Sequence, residues 1–212
     1  VLSPRKPRGK LRTFTKPNGL FAHTKLCWVD GTSLYYDGTA VGTVQDSKKR
    51  FVSMGAYIIV FPDKVYYNTH TGEFGSLEAT STTSGTVTAT LCKLDGSAYE
   101  DITTSATAPE SPSDGKLWLD TSVTPNVLKQ YSTANNAWVS IPTTYVKIGS
   151  TGIGAGFSEG DGVTISGMEN TALNGDFILY GAGADYVVVT AIIASAATQT
   201  AAVTVSRSVP DL

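Results

Sequence analysis

The sequence predicts an all-β protein assembled from several small modules. The first observation is a series of turn signals. Five Asp-Gly pairs (Asp30-Gly31, Asp37-Gly38, Asp95-Gly96, Asp114-Gly115, Asp161-Gly162) and two Asn-Gly pairs (Asn18-Gly19, Asn174-Gly175) punctuate the chain. Such pairs tolerate positive φ and favour tight hairpins between short strands. The second is what lies between them: short runs rich in Val, Ile, Thr, Tyr and Phe, the residues that fit a pleated surface. The third is composition. Only 16% of residues are charged, against about 25% in an average domain, and Thr, Ser, Gly and Ala fill the difference.

A chain of 212 residues is long enough for one large β domain or two to three small ones. The net charge of −2 gives no global argument for nucleic acid, and low charge with a Thr/Ser-rich surface suits an extracellular or virion protein. The charge is uneven, however. Arg5, Lys6, Arg8, Lys10, Arg12 and Lys16 occur among the first sixteen residues without an acid. Pro4, Pro7 and Gly9 oppose a helix there. Residues 1–19 are therefore expected to form an extended basic arm, and Arg5, Lys6, Arg8, Lys10 and Arg12 are candidate contacts to neighbouring subunits, to DNA or to another acidic partner.

A first β domain is expected over residues 20–105, with strands at Thr24–Val29, Ser33–Tyr36, Ala40–Val44, Arg50–Met54, Ala56–Phe61, Lys64–Asn68 and Thr86–Lys93. The continuous apolar run Tyr57-Ile58-Ile59-Val60-Phe61 is too short for a typical helix and fits a strand buried on both faces. Lys48, Lys49 and Arg50 read as a solvated turn. Leu34-Tyr35-Tyr36-Asp37 and Val65-Tyr66-Tyr67-Asn68 share a pattern, but two copies are too few for a repeat architecture. Neighbouring residues of a strand point to opposite faces, so each Tyr pair offers one ring to any one surface.

Residues 106–143 are expected to hold a linker, read from Thr103 to Ser113 by composition, and a tryptophan hairpin with Trp118 and Trp138 on either side of a polar turn. A hairpin so small has little core. Its two rings are read as a staple or docking face, with an open sugar cleft as the competing reading. A small β-sandwich-like module follows over 144–212, with strands at Tyr145–Ile148, Val163–Ser166, Asp176–Leu179, Tyr186–Thr190 and Ala202–Ser206. The Ala-rich piece Ala191–Ala202 lacks a cap and is read as strand or loop.

The motifs that could carry chemistry are weak. Gly156-Phe157-Ser158-Glu159-Gly160 matches a G-x-S-x-G elbow. Both histidines, His23 and His70, precede it, and a turn and strand follow where a helix is required. Thr151-Gly152-Ile153-Gly154-Ala155-Gly156 lacks the Gly-Lys-Ser/Thr of a P-loop. His70, Glu73 and Asp63 do not form a metal-ligand motif, and Ser158-Glu159-Gly160-Asp161 matches no calcium loop. Glu73, Glu78, Glu100, Asp101 and Glu110 sit in polar contexts that single out no catalytic acid. No enzyme activity, cofactor or metal is expected. Cys27 and Cys92 form no CxxC pair and read as buried thiols, with a cross-strand disulfide as the alternative. No run approaches the roughly 18 apolar residues of a membrane span, and the basic start has no signal-peptide core. The opening Val and the closing Arg207–Leu212 suggest a processed or partial chain.

Three pieces resemble virion proteins of tailed bacteriophages. Gly115-Lys116-Leu117-Trp118-Leu119-Asp120-Thr121, with Leu128-Lys129-Gln130-Tyr131 and Ala137-Trp138-Val139, is similar to a short module of phage tail and fibre proteins. Asp161-Gly162-Val163-Thr164-Ile165-Ser166-Gly167, with Leu173-Asn174-Gly175-Asp176-Phe177, looks like another small β module of phage structural proteins. Leu34-Tyr35-Tyr36-Asp37-Gly38, with Phe51-Val52-Ser53-Met54-Gly55 and Val65-Tyr66-Tyr67-Asn68, resembles the start of propeller-like tail or connector proteins. The resemblance implies a tail or head–tail component located in a virion. Its partners would be other virion proteins, and it would form a homo-oligomeric ring. The alternative is an adsorption or glycan-binding module of a tail.

Overall fold

The structure, a computed structural model, describes residues 12–211. The short runs between turns become twenty strands, and the only helical element among the described residues is a single 3-10 turn. The all-β expectation holds. By contact the described residues divide into two units, 12–78 with 209–211 and 79–208.

The first unit contains two four-stranded antiparallel meanders. One consists of β1 (Pro17–Ala22), β2 (Leu26–Asp30), β3 (Ser33–Tyr36) and β4 (Thr39–Thr43), and the other of β5 (Arg50–Met54), β6 (Tyr57–Phe61), β7 (Val65–Asn68) and β8 (Phe74–Ser76). The two Tyr-Tyr motifs occupy β3 and β7, the third strand of each meander. Their alternation behaves as the pleat requires. Tyr36 and Tyr67 meet at 5.4 Å between ring centroids and pack with the core, while on the other faces Tyr35 stacks on Trp28 and Tyr66 meets Tyr57 edge-to-face. One core of Cys27, Val29, Leu34, Val44, Ile58, Val60 and Tyr67 draws on both meanders. β6 is buried mainly on its Ile58/Val60 face, and Tyr57 is exposed. On the other face Ile59 is half-buried and Phe61 buried, so the apolar run marks a strand buried fully on one side and partly on the other.

The second unit starts with β9 (Ala79–Thr82) and β10 (Val87–Cys92). A four-stranded sheet follows: β11 (Ile102–Ser105), β12 (Leu117–Asp120), β13 (Val127–Ser132) and β14 (Ala137–Ser140). Then come β15 (Tyr145–Gly149), β16 (Gly162–Ser166), the 3-10 turn Thr171–Leu173, β17 (Gly175–Gly183), β18 (Tyr186–Thr190), β19 (Ala197–Gln199) and β20 (Thr204–Arg207). All but β11–β14 join one eight-stranded sheet of order β19-β10-β15-β18-β17-β16-β20-β9. A register shift between Leu179 and Gly181 interrupts the long β17, and a bulge of this kind bends a strand. Residues from near both ends of the sheet, Val87 and Ala89 on β10 and Val205 on β20, share one core with Val146, Ile148, Leu179, Val187 and Val189. The sheet therefore folds over on itself.

This pairing relocates the expected boundary from residue 105 to residue 78. β10 pairs with β15, matching Ala89 to Ile148, and β9 pairs with β20, matching Ala79 to Arg207. A strand's partner is fixed by hydrogen bonds to distant residues, which composition does not encode. The expected linker also contains a strand: β11 runs parallel to β12, and the "hairpin" is a three-stranded meander with a parallel fourth strand. The Ala-rich piece is loop apart from β19. Cys27 and Cys92 are both buried free thiols, and burial pushes the Cys27 thiol up to about 12. Among the described residues no helix is long and apolar enough to cross a membrane.

Candidate functional site

Strand alternation places Leu20, Trp28 and Tyr35 in one cross-strand row on the outer face of β1–β4, with Leu20 opposite Trp28 and Trp28 opposite Tyr35. Trp28 and Tyr35 stack with centroids 5.2 Å apart and planes 10° apart. Arg12 lies over both rings, its Cζ 4.7 Å from the Trp28 centroid and 4.6 Å from that of Tyr35. This is cation–π geometry, worth about 0.5–2 kcal/mol depending on exposure. Phe14 meets Trp28 edge-on at 6.1 Å. The chain is then tied down at Asp30, whose carboxylate accepts from the Thr15 and Lys16 backbone amides at 3.0 and 2.6 Å.

Beside this stack lies a recess of about 570 Å³ lined by Arg12, Phe14, Leu20, Leu26, Trp28, Asp37 and Gly38. Leu20 is 65% exposed, Trp28 only 5%. The buried Trp28 indole N–H has no hydrogen-bond acceptor among the described residues. A buried donor without a partner is costly, so this indole is the polar group of the face that the described residues leave unsatisfied. Of the arm candidates, Arg12 is placed here. Arg5, Lys6, Arg8 and Lys10 lie outside the described residues.

The other two candidates, Trp118 and Trp138, come together in the four-stranded sheet of the second unit. Cross-strand register puts Trp118 opposite Lys129 and Tyr131 opposite Trp138, so the four side chains share a face. The Trp118 and Trp138 rings meet edge-to-face at 5.4 Å, and Tyr131 meets Trp138 at 5.3 Å. Lys129 Nζ sits 4.7 Å over the Trp118 ring and donates at 2.8 Å to Asp120. The Trp118 indole N–H donates to the Ser105 carbonyl at 3.0 Å. The Lys129 ammonium, followed by the Ser122 hydroxyl and amide, draws the Asp120 carboxyl down to about 2. Trp118 is only 6% exposed. The rings share one side of the sheet but are packed against each other, so they form a staple, and no sugar-sized slot separates them. On the opposite face Leu119, with Ile102 and Thr104, lines a small recess against Leu91 of β10 and Ile193.

The remaining motifs resolve into local structure. Ser158 lies in a turn where its amide donates to Asp161 at 2.9 Å, and Asp161 pairs with Arg207. A Cβ on Gly154 would lie 2.0 Å from the Gly183 carbonyl oxygen, so this glycine permits a close backbone approach. His70 is exposed, and its amide donates to the Asn68 side chain. His23 has Nε2 at 3.0 Å from the Gly55 carbonyl. Among the described residues, no three His, Cys, Asp or Glu side chains group to hold a metal.

Sequence reasoning missed Leu20 and Leu26 as surface-forming residues. The Leu20/Ala22 alternation after Asn18-Gly19 was the available signal for β1. It also missed a recess of about 580 Å³ in the second unit, where Tyr180 and Tyr186 stand with Lys93, Asp95 and Glu159. No protein-family model, curated protein or solved structure matches this chain.

Proposed function

We propose that this chain is a structural component of a tailed-bacteriophage particle, in the tail or the head–tail connection, and that it works by assembling with other virion proteins and with copies of itself. The three motif resemblances motivate the reading, and the build of small β modules with stapled or folded-over cores is compatible with a scaffold part. The observation that carries the assembly role is the outer face of β1–β4. There exposed Leu20 and Leu26 border an apolar recess beside a buried indole N–H that no described residue satisfies. β1 is also an edge of its sheet, which leaves backbone groups for a neighbour. A second copy that inserts an apolar side chain and offers a carbonyl to Trp28 would complete this face.

Sedimentation and native mass spectrometry of the full chain test the proposal. The expected result is a defined ring-sized oligomer that Leu20→Glu and Leu26→Glu dissociate. A monomer at all concentrations, unchanged by these substitutions and absent from purified particles, would overturn it.

A second reading, an adsorption or glycan-binding module, is favoured by one observation: the Tyr180/Tyr186 recess with its flanking carboxylates and lysine. Aromatic rings with polar groups beside them suit a sugar. Binding on a glycan array that is lost in Tyr180→Ala and kept in Trp138→Ala would move the function to that recess.

A further inference from the structure

The segment Lys48-Lys49-Arg50 reads as a solvated turn in the sequence, but Lys49 is not solvated. Its side chain is 0% exposed and pairs with Asp63, whose side chain is 5% exposed. Lys49 immediately precedes β5, and Asp63 lies in the turn between β6 and β7. β1 covers the lysine stem: a Cβ on Gly19 would sit 3.0 Å from Lys49 Cβ, and the Lys49 amide donates to the Asn18 carbonyl at 2.8 Å. The two functional groups are individually furnished. Lys49 Nζ also donates to Ser47 Oγ at 3.0 Å, and Asp63 Oδ1 accepts the Gln45 amide at 2.5 Å, leaving Oδ2 to the lysine.

We propose that Lys49 and Asp63 condense to an isopeptide bond, a covalent cross-link within the first unit. The site holds a nucleophile and an electrophile that are shielded from water, a donor for the developing oxyanion and a hydroxyl in contact with the amine. Burial of two charges is expensive, and neutralising both at once relieves that cost. The ammonium passes one proton to Asp63 Oδ2, leaving a free amine and a carboxylic acid. The amine lone pair attacks Cγ, and negative charge gathers on Oδ1, where the Gln45 N–H is already aimed. This is the electrostatic role of an oxyanion hole. Ser47 Oγ takes a second proton from nitrogen and gives one to Oδ2. The Cγ–Oδ2 bond then breaks, and a single water leaves. One C–N bond forms and one C–O bond breaks, with no oxidant, reductant or external proton. Holding amine and carboxyl together converts an unfavourable bimolecular condensation into an intramolecular one.

Intact mass of the full chain, measured after complete denaturation, tests the proposal. The expected mass is lower than the sequence mass by one water in nearly all molecules, with Lys49 and Asp63 recovered in one branched chymotryptic peptide. Asp63→Ala and Lys49→Arg should return to their full sequence masses, and Ser47→Ala should form the bond more slowly. Succinimides at the Asp-Gly pairs would lose the same mass, but hydroxylamine cleaves them and leaves an isopeptide intact. Wild-type protein at full mass after refolding and long incubation would overturn the proposal, whatever the variants do. So would a water loss that persists in Asp63→Ala or disappears with hydroxylamine.

Discussion

Trp28 and Trp118 each sit on an inner strand of a four-stranded sheet beneath a cationic side chain, and each is nearly buried. Their hydrogen bonding differs. The Trp118 indole N–H reaches Ser105, and its overlying Lys129 is held by Asp120. The Trp28 N–H reaches no described acceptor, and the recess beside it opens onto an exposed leucine. The same parts thus give a closed cluster in one unit and an open one in the other. The closed cluster is a structural staple. In the open one, no described residue accepts from the indole N–H.

The sharpest way to break this contrast is truncation. Trp118→Ala should destabilise the β11–β14 sheet by about 3–5 kcal/mol, the usual cost of emptying a large aromatic site. Hydrogen exchange confined to these strands is the readout, and unchanged protection there would show that the staple is dispensable. Next comes the indole nitrogen alone. Tryptophan-to-phenylalanine changes remove similar volume at both sites, so their difference isolates the N–H. Trp118→Phe should cost about 0.5–1.5 kcal/mol more than Trp28→Phe, because only the former removes a hydrogen bond, while the Ser105 carbonyl keeps the Thr121 amide. Equal costs in denaturant unfolding would mean that Trp28 is satisfied after all.

A smaller effect is expected at the cation. Arg12→Ala should weaken the first unit by about 0.5–2 kcal/mol and raise solvent quenching of Trp28 fluorescence; Arg12→Lys should recover part of both. No change in quenching would separate Arg12 from the ring. The last test is by acid. Asp120 has its pKa lowered from an ordinary 3.8 to about 2, so its contribution is complete above pH 4 and is lost as the pH falls toward 2. The β11–β14 sheet of wild type should lose hydrogen-exchange protection across that window, and Asp120→Asn should lack this phase. An identical acid profile in both proteins would remove Asp120 from the account.

Much of the fold was legible because it is local. The Asp-Gly pairs marked turns, and β3, β5 and β18 follow the expected spans because β-branched and aromatic runs signal strands without reference to partners. What failed was non-local. Nothing in Thr86–Lys93 reveals that it pairs with Tyr145–Gly149, so the boundary at Glu78 was hidden. β9 and β11 were lost in Thr/Ser-rich stretches whose pairing comes from distant strands. The site was less legible still. The tryptophans stood out as residues, but only cross-strand register shows which ring meets which cation. Lys49 was misread outright because its burial depends on Asp63, fourteen positions along, and on a glycine in β1.

The pairing of Ala79 with Arg207 carries a consequence of another kind. The chain enters and leaves residues 79–208 through neighbouring strands, and just beyond them the Val209 amide donates to Glu78 at 3.2 Å. Adjacent entry and exit points are what make a segment tolerable as an insertion. A gene could therefore gain, lose or exchange this whole stretch as a cassette, with only a short splice needed between residues 78 and 209. Within one lineage, the surrounding meanders could stay constant while the inserted part diverges.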